Sequence, residues 1–304
     1  MTEQENLAYH QQLATIYNGI LFHNQNFEAG QDNEITYRFD CPEYDELREK
    51  YNLENIAGTG SEFARARRLL FHFAPRLTHS PWYDNHIEIN PLKLLEYSLD
   101  NAEHGINCYN KSKILAECCL ALGIYARRVF IMPYSPFDCD NHVVNEIYDR
   151  ELDKWIMLDL SFGAYFVDEN RTPLSLLEMR ERSANNQFLA CVTENDSLDD
   201  LDALREAHSY AISYFPKNLF YFRLDKVNKF GEGDDYLTVC PEHYSVNRTR
   251  AANIRYRLQQ YAEHYNENRE EFEKTAAEWE AKEELPRTGV SVMLKKPNTA
   301  NQSI

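Results

Sequence analysis

The chain has 304 residues and a net charge of −17, with 43% hydrophobic and 13% aromatic residues, so it can build a packed core and is not a disordered chain. The acidic balance argues against nucleic acid and anionic membrane surfaces as partners, because both require cationic patches. With only 10 glycines and no Gly-x-Gly-x-x-Gly or Walker-type loop, a glycine-rich phosphate cradle is also excluded.

The opening MTEQENLAYHQQ carries neither a basic n-region nor an apolar h-region, and no run approaches the ~18 apolar residues of a membrane span. The seven cysteines (41, 108, 118, 119, 139, 191 and 240) are odd in number and irregularly spaced, as in a reduced protein rather than a disulfide framework. The expectation is a cytoplasmic chain with no membrane partner.

Residues 1–60 read as an N-terminal extension on the core: a short helix or strand, a strand at ITYRF, then a charged helix from Pro42 to Leu53. Ser61 opens a basic amphipathic helix, FARARRLLFHFA, closed by Pro75. Asn90–Pro91 supplies an N-cap and a first-turn proline for a further helix. The central stretch, GINCYNKSKILAECCLALGIYARRVFIMP, reads as loop, buried helix and strand. Asn107 is the N-cap, which puts Cys108 in a first turn whose free N–H groups and dipole favour an anion. A thiol there can be drawn toward the nucleophilic thiolate. From Ile114 to Leu122 the helix is apolar almost all round, and Gly123 ends it. Within that apolar run Glu117 calls for an ion-pair partner, and Arg127 and Arg128 read as structural.

Two strands follow, 142–148 and 154–160, joined by DRELD. A turn centred between Arg150 and Glu151 pairs Tyr148 with Asp153, Glu146 with Trp155, Val144 with Met157, and His142 with Asp159. Opposed residues share a face, with Cβ atoms ~5 Å apart, so one hairpin brings a base and its orienting group together. Asp159 can accept from one imidazole nitrogen and leave the other for a thiol.

In this order and setting, Cys108, His142 and Asp159 resemble the transglutaminase-like superfamily of thiol enzymes. In that family the nucleophile opens a buried helix that ends in a Gly-Ile-x-Ala-Arg-x-Val pattern, matched here by Gly123-Ile124-Tyr125-Ala126-Arg127-Arg128-Val129. The family histidine starts a strand with an acidic residue a few positions on, as in His142-Val143-Val144-Asn145-Glu146. The family aspartate ends a Trp-led strand, matched by Trp155-Ile156-Met157-Leu158-Asp159. The resemblance covers roughly residues 60–185. It departs at Val144, where an aromatic residue is common, at Asn107, where a small or acidic one is common, and at Leu160-Ser161, where the family has a proline. None of these removes a catalytic group.

The resemblance implies an α+β papain-like core, a nucleophile-bearing helix on an antiparallel sheet. It also implies acyl transfer at amide bonds by a Cys108–His142–Asp159 triad, as a cysteine protease, an amidase or an acyltransferase to an amine. The backbone N–H of Cys108 would be one oxyanion donor, and Trp82 is preferred over His79, Asn85 and Tyr109 as the second. The expected partner is a peptide or protein substrate. No cofactor or metal is expected, since Cys139-x-x-His142 has no second ligand pair. Its loop, with Asp138 and Asp140, reads instead as a mobile rim of the site. The catalytic core with its following elements is placed at 61–245. Residues 246–285 read as one long charged helix with a stripe at 254, 258, 261, 265, 272, 276 and 279, a brace, a lid or a contact for an oligomer or partner. Residues 286–304 read as a flexible tail.

Overall fold

The computed structural model describes residues 2–233, 235–265, 268–282, 284 and 287–297. The architecture is mixed α and β. Thr2 and Glu5 form a capping box that starts a 20-residue helix, α1 (Glu3–Phe22), longer than the sequence suggested. The ITYRF strand reduces to β1 (Thr36–Tyr37). α2 (Glu43–Tyr51), α3 (Leu53–Ala57) and α4 (Glu62–Phe73) follow, the last capped by Ser61 and running into a 3-10 turn at Ala74–Arg76. α5 (Pro91–Ser98) starts at Asn90, and α6 (Cys108–Ala121) at Asn107.

Next come β2 (Ala126–Met132), β3 (His142–Asp149), β4 (Lys154–Leu158), β5 (Tyr165–Val167), α7 (Leu176–Ala184) and β6 (Ala190–Val192). α8 (Leu201–Ala207), α9 (Ser209–Asn218), β7 (Tyr221–Asp225), β8 (Val227–Asn228) and β9 (Tyr236–Val239) complete the middle of the chain. The C-terminal part holds α10 (Val246–Gln260), α11 (Ala262–Tyr265), α12 (Arg269–Ala281) and α13 (Ser291–Leu294). Among the described residues no helix is long and apolar enough to cross a membrane.

The main sheet is antiparallel throughout, in the order β4-β3-β2-β7-β9. Two cores cover its faces, as strand alternation demands. Ile147, Ile156 and Leu158 face Ile114, Leu115 and Cys118 of α6, with α2 to α5 behind. Val129, Val144 and Met157 face Phe215 of α9, Leu21 of α1 and Met179 of α7. The sheet's buried cations are neutralised: Arg127 pairs with Glu146 at 2.6 Å, and Arg128 with Asp225 at 2.9 Å and Glu232 at 3.2 Å. Glu117 finds its partner in Lys113 at 2.7 Å, although burial still pushes its carboxyl up to about 7.

Three sequence expectations are corrected. The β3–β4 register differs by two residues: Tyr148 pairs with Trp155 and Glu146 with Met157. The turn is longer at its far end, where Asp149 accepts from the Leu152 N–H at 2.9 Å and Asp153 takes a left-handed φ of 54°. The expected single helix over 246–285 is instead a hairpin in which α12 packs back on α10. Ala251, Leu258 and Ala276 are buried there, Arg255 bonds Glu280 at 2.7 Å, and Arg250 stacks on Trp279. Folding back buries Leu258 and Ala276 of the expected stripe, which a straight helix would leave in water. Tyr261 stays exposed, and the side chain at 265 lies outside the described residues. The expected loose tail is docked where it is described, over 287–297. Val292 and Met293 are buried, Arg127 donates to the Met293 carbonyl at 2.7 Å, and the Trp155 indole donates to that of Lys295 at 3.0 Å. Positions 286 and 298–304 lie outside the described residues.

Candidate active site

The site is built at one end of the sheet, where the first turn of α6 meets the start of β3. Asn107 caps α6 by accepting from the Asn110 N–H at 3.2 Å. Its amide also donates to Asn85 at 3.1 Å, and Asn110 donates to the same Asn85 oxygen at 2.6 Å. The three asparagines tie the 80–90 loop to the helix start and hold Cys108, half-buried, as the first helical residue. The remaining first-turn N–H groups point out of the helix.

His142 begins β3 and is only 3% exposed. Its Nε2 lies 2.7 Å from Asp159 Oδ2, and its side chain lines the same cleft as Cys108. With Nε2 given to the carboxylate, Nδ1 is the nitrogen left for sulfur. Asp159 is itself held: its Oδ1 accepts from Ser161 N at 2.7 Å and Phe162 N at 3.2 Å, and its backbone closes a two-way bridge with Ala164. Gly163 makes that tight turn at φ 62°, where an added Cβ would sit 3.0 Å from the Ala74 Cβ. Because the register shift is even, His142 and Asp159 stay on one face and meet diagonally rather than head-on.

The electrostatics follow from this packing. Phe162, Tyr214 and Phe215 set their rings edge-on around the imidazole at 5.7, 5.6 and 6.1 Å. Burial works to lower the His142 pKa, but the Asp159 charge and hydrogen bond, with Cys108 behind them, raise it to about 10. His142 is therefore a cation at neutral pH, beside the sulfur.

The cleft in front of Cys108 has a volume of about 520 Å³. His79, Trp82, His142, Tyr214 and Tyr261 are among its walls. Trp82 is 54% exposed and sets its ring against Tyr261, so the 80–90 loop and the end of α10 touch across the opening. Of the other named oxyanion candidates, Asn85 is committed to the asparagine cluster, and Tyr109 bonds Glu232 under the Arg128 guanidinium. His79 lines the cleft, its pKa lowered by desolvation and by the charges of Lys111 and His142. The Pro133–Asn141 loop does form a rim, but a pinned one: Lys217 bonds Asp138 and Asp140 at 3.1 Å, and Asn253 donates to the Asp138 carbonyl at 2.9 Å.

Lys111 is a site residue that sequence reasoning missed. It is fully buried one turn beyond Cys108, donates to the Leu77 carbonyl at 2.6 Å, and feels the charges of Asp159 and Cys108. Burial brings its ammonium down to about 8. The available signal was a lysine on the same face as Cys108, three positions along a helix with no solvent side. Among the described residues no group of three or more His, Cys, Asp or Glu side chains could hold a metal ion.

No protein-family model and no curated protein matches the chain. A solved structure described as "a Putative Cysteine Protease from Cytophaga hutchinsonii" is similar at 14% identity and a TM-score of 0.32, over 53% of this chain. The chain spans a little over half of that structure, 56% of its length.

Proposed function

We propose that this protein is a thiol-dependent acyl-transfer enzyme of papain-like arrangement, acting on amide bonds of a peptide or protein, as a cysteine protease or amidase. The observation that carries the reading is a buried His142 that meets Asp159 at 2.7 Å and lines one cleft with Cys108 at a helix start. Each group has a physical role. The imidazolium and the helix N-terminus favour the Cys108 thiolate. The thiolate attacks the carbonyl carbon, and the developing oxyanion is met by the Cys108 N–H. The Trp82 indole at the rim is the candidate second donor. His142 then gives its proton to the leaving amine, which departs and leaves a thioester. Water attacks the thioester as His142 takes the proton back, and Asp159 holds the ring orientation throughout.

Water is the simplest acceptor for a thioester facing an open cleft. An amine seated in the same cleft would give transfer instead of hydrolysis, and a non-catalytic member of the fold would use the cleft only to bind a peptide. One experiment separates the classes: alkylation of Cys108 by iodoacetamide as a function of pH, followed by peptide mapping across the seven cysteines. The expected outcome is fast, pH-dependent labelling of Cys108 in preference to the other six cysteines. A rate no higher than that of a free thiol, with no labelling below about pH 8, would overturn the catalytic reading. Release of amine from a fluorogenic peptide-amide pool, with and without a primary amine, then tells hydrolysis from transfer.

A further inference from the structure

Beside the Cys108 cleft lies a second cavity of about 260 Å³, between the sheet and the α10–α12 hairpin. Arg223 lines both spaces, and Arg250 lines the second. Arg223 stands on β7 with its guanidinium over Tyr236 at 4.5 Å and Phe130 at 5.4 Å. Arg250 stands on α10 with its guanidinium over Trp279 of α12 at 4.0 Å. Each cation is thus held by aromatic faces, which orient the plane and leave the N–H edges unused. Among the described residues neither guanidinium has a carboxylate or a hydrogen-bond acceptor.

The fully buried arginines of the same sheet are held differently. The chain has 49 acidic residues against 32 basic ones, and the buried Arg127 and Arg128 both take carboxylates. Among the described residues the one carboxylate lining the second cavity, Asp138, is engaged by Lys217. Arg223 and the phenols of Tyr221 and Tyr236 act electrostatically on Arg250, and Trp279 lies under its guanidinium. Burial and the Arg223 charge bring the Arg250 pKa down to about 10, which leaves Arg250 a cation at neutral pH. Two adjacent, unneutralised guanidiniums with free donor edges on a cavity are the geometry that takes an oxyanion in bidentate contact.

We propose that Arg223 and Arg250 form an oxyanion-binding subsite that seats an acidic group, a carboxylate or a phosphate, on the ligand occupying the Cys108 cleft. With Cys108 read as the nucleophile, on which this extension rests, the substrate carries negative charge on the side of the scissile bond that lies toward α10. Asn141, Met132 and Arg257 also line both spaces, so a ligand can run from one to the other.

The test is calorimetric titration of the full chain with inorganic phosphate and, separately, with N-acetylglutamate, which distinguishes phosphate from carboxylate. Saturable binding of one of them, weakening as salt is added, is expected. R223Q and R250Q should each weaken it by at least about tenfold, and R223K by less, since an ammonium keeps the charge although it loses the bidentate contact. C108S should bind as the wild type does, so a failure of the thiol chemistry would leave this result standing. Absence of saturable binding of either anion to the wild type overturns the proposal, as does binding that survives both R223Q and R250Q in proteins with unchanged circular dichroism.

Discussion

The two ends of α6 carry the same side chain in opposite circumstances. Cys108 opens the helix, half-buried, with the His142 imidazole lining the same cleft. Three turns on, Cys118 and Cys119 are fully buried among Leu115, Leu120 and their neighbours. Burial alone pushes the Cys119 thiol up to about 12, and burial with its neighbours pushes Cys118 well above the ordinary range. A thiolate needs a counter-charge and a route to water, and only the first turn supplies both. On the proposed reading, position on the helix rather than residue type decides which thiol reacts.

The contrast can be broken in graded ways. His142→Ala removes the cation and base, and the alkylation rate of Cys108 should fall by about 10²–10⁴-fold, toward the level of a cysteine without a base, as measured by stopped-flow labelling. Asp159→Asn leaves His142 without its carboxylate and should destabilise the fold by about 3 kcal/mol near neutral pH, read by urea denaturation. The pH dependence has a definite sign. The folded pKa of His142 is raised from 6.5 to about 10, so its contribution is complete below the lower value and is lost as pH rises through the higher one. The stability gap between wild type and Asp159→Asn should accordingly narrow toward pH 10.

At the other end of the helix, Cys119→Ser puts a hydroxyl in an apolar site. It should cost about 1–3 kcal/mol in stability and leave the Cys108 labelling rate unchanged. An equal loss of labelling would mean that the two ends are not independent. The smallest effect is expected from Asn107→Ala, which removes the cap: about 1 kcal/mol of stability, with a modest slowing of Cys108 labelling as the first turn frays.

How legible this was in the chain can be argued residue by residue. The cap at Asn107, the glycine end at Gly123 with its φ of 73°, and the strand start at His142 are local events, and the side chains that cause them are adjacent in sequence. The proximity of His142 and Asp159 was also legible, because both lie on one hairpin. The register was not, because the turn absorbs residues through the Asp149 side chain and the left-handed Asp153. A shift by two preserves the face, whereas a shift by one would have separated the pair. Lys111 was overlooked because its helix position looked the same whether it reached water or, as observed, a buried carbonyl.

The C-terminal region shows the limit most clearly. A charged segment with a narrow apolar stripe satisfies the pattern of a single helix equally well as that of two helices packed on each other. Which one forms depends on contacts such as Arg250 on Trp279 and Arg255 on Glu280, which span 29 and 25 positions and leave no periodic trace. The same holds for the docking of Val292 and Met293, and for the bridge from Trp82 to Tyr261 across the cleft.

By itself, then, the sequence determined what depends on near neighbours: the helix start that presents Cys108, the hairpin that pairs His142 with Asp159, and the apolar run that buries α6. Only the tertiary structure decided what depends on distant segments converging. It set Nε2 of His142 on Asp159 in one cleft with Cys108, closed the rim with α10, and left Arg223 and Arg250 on a cavity whose carboxylate, Asp138, is engaged by Lys217. The physical reason is range. Caps, turns and strand alternation act over a few residues of chain, whereas burial, charge neutralisation and cavity shape are set by whichever segments meet in space.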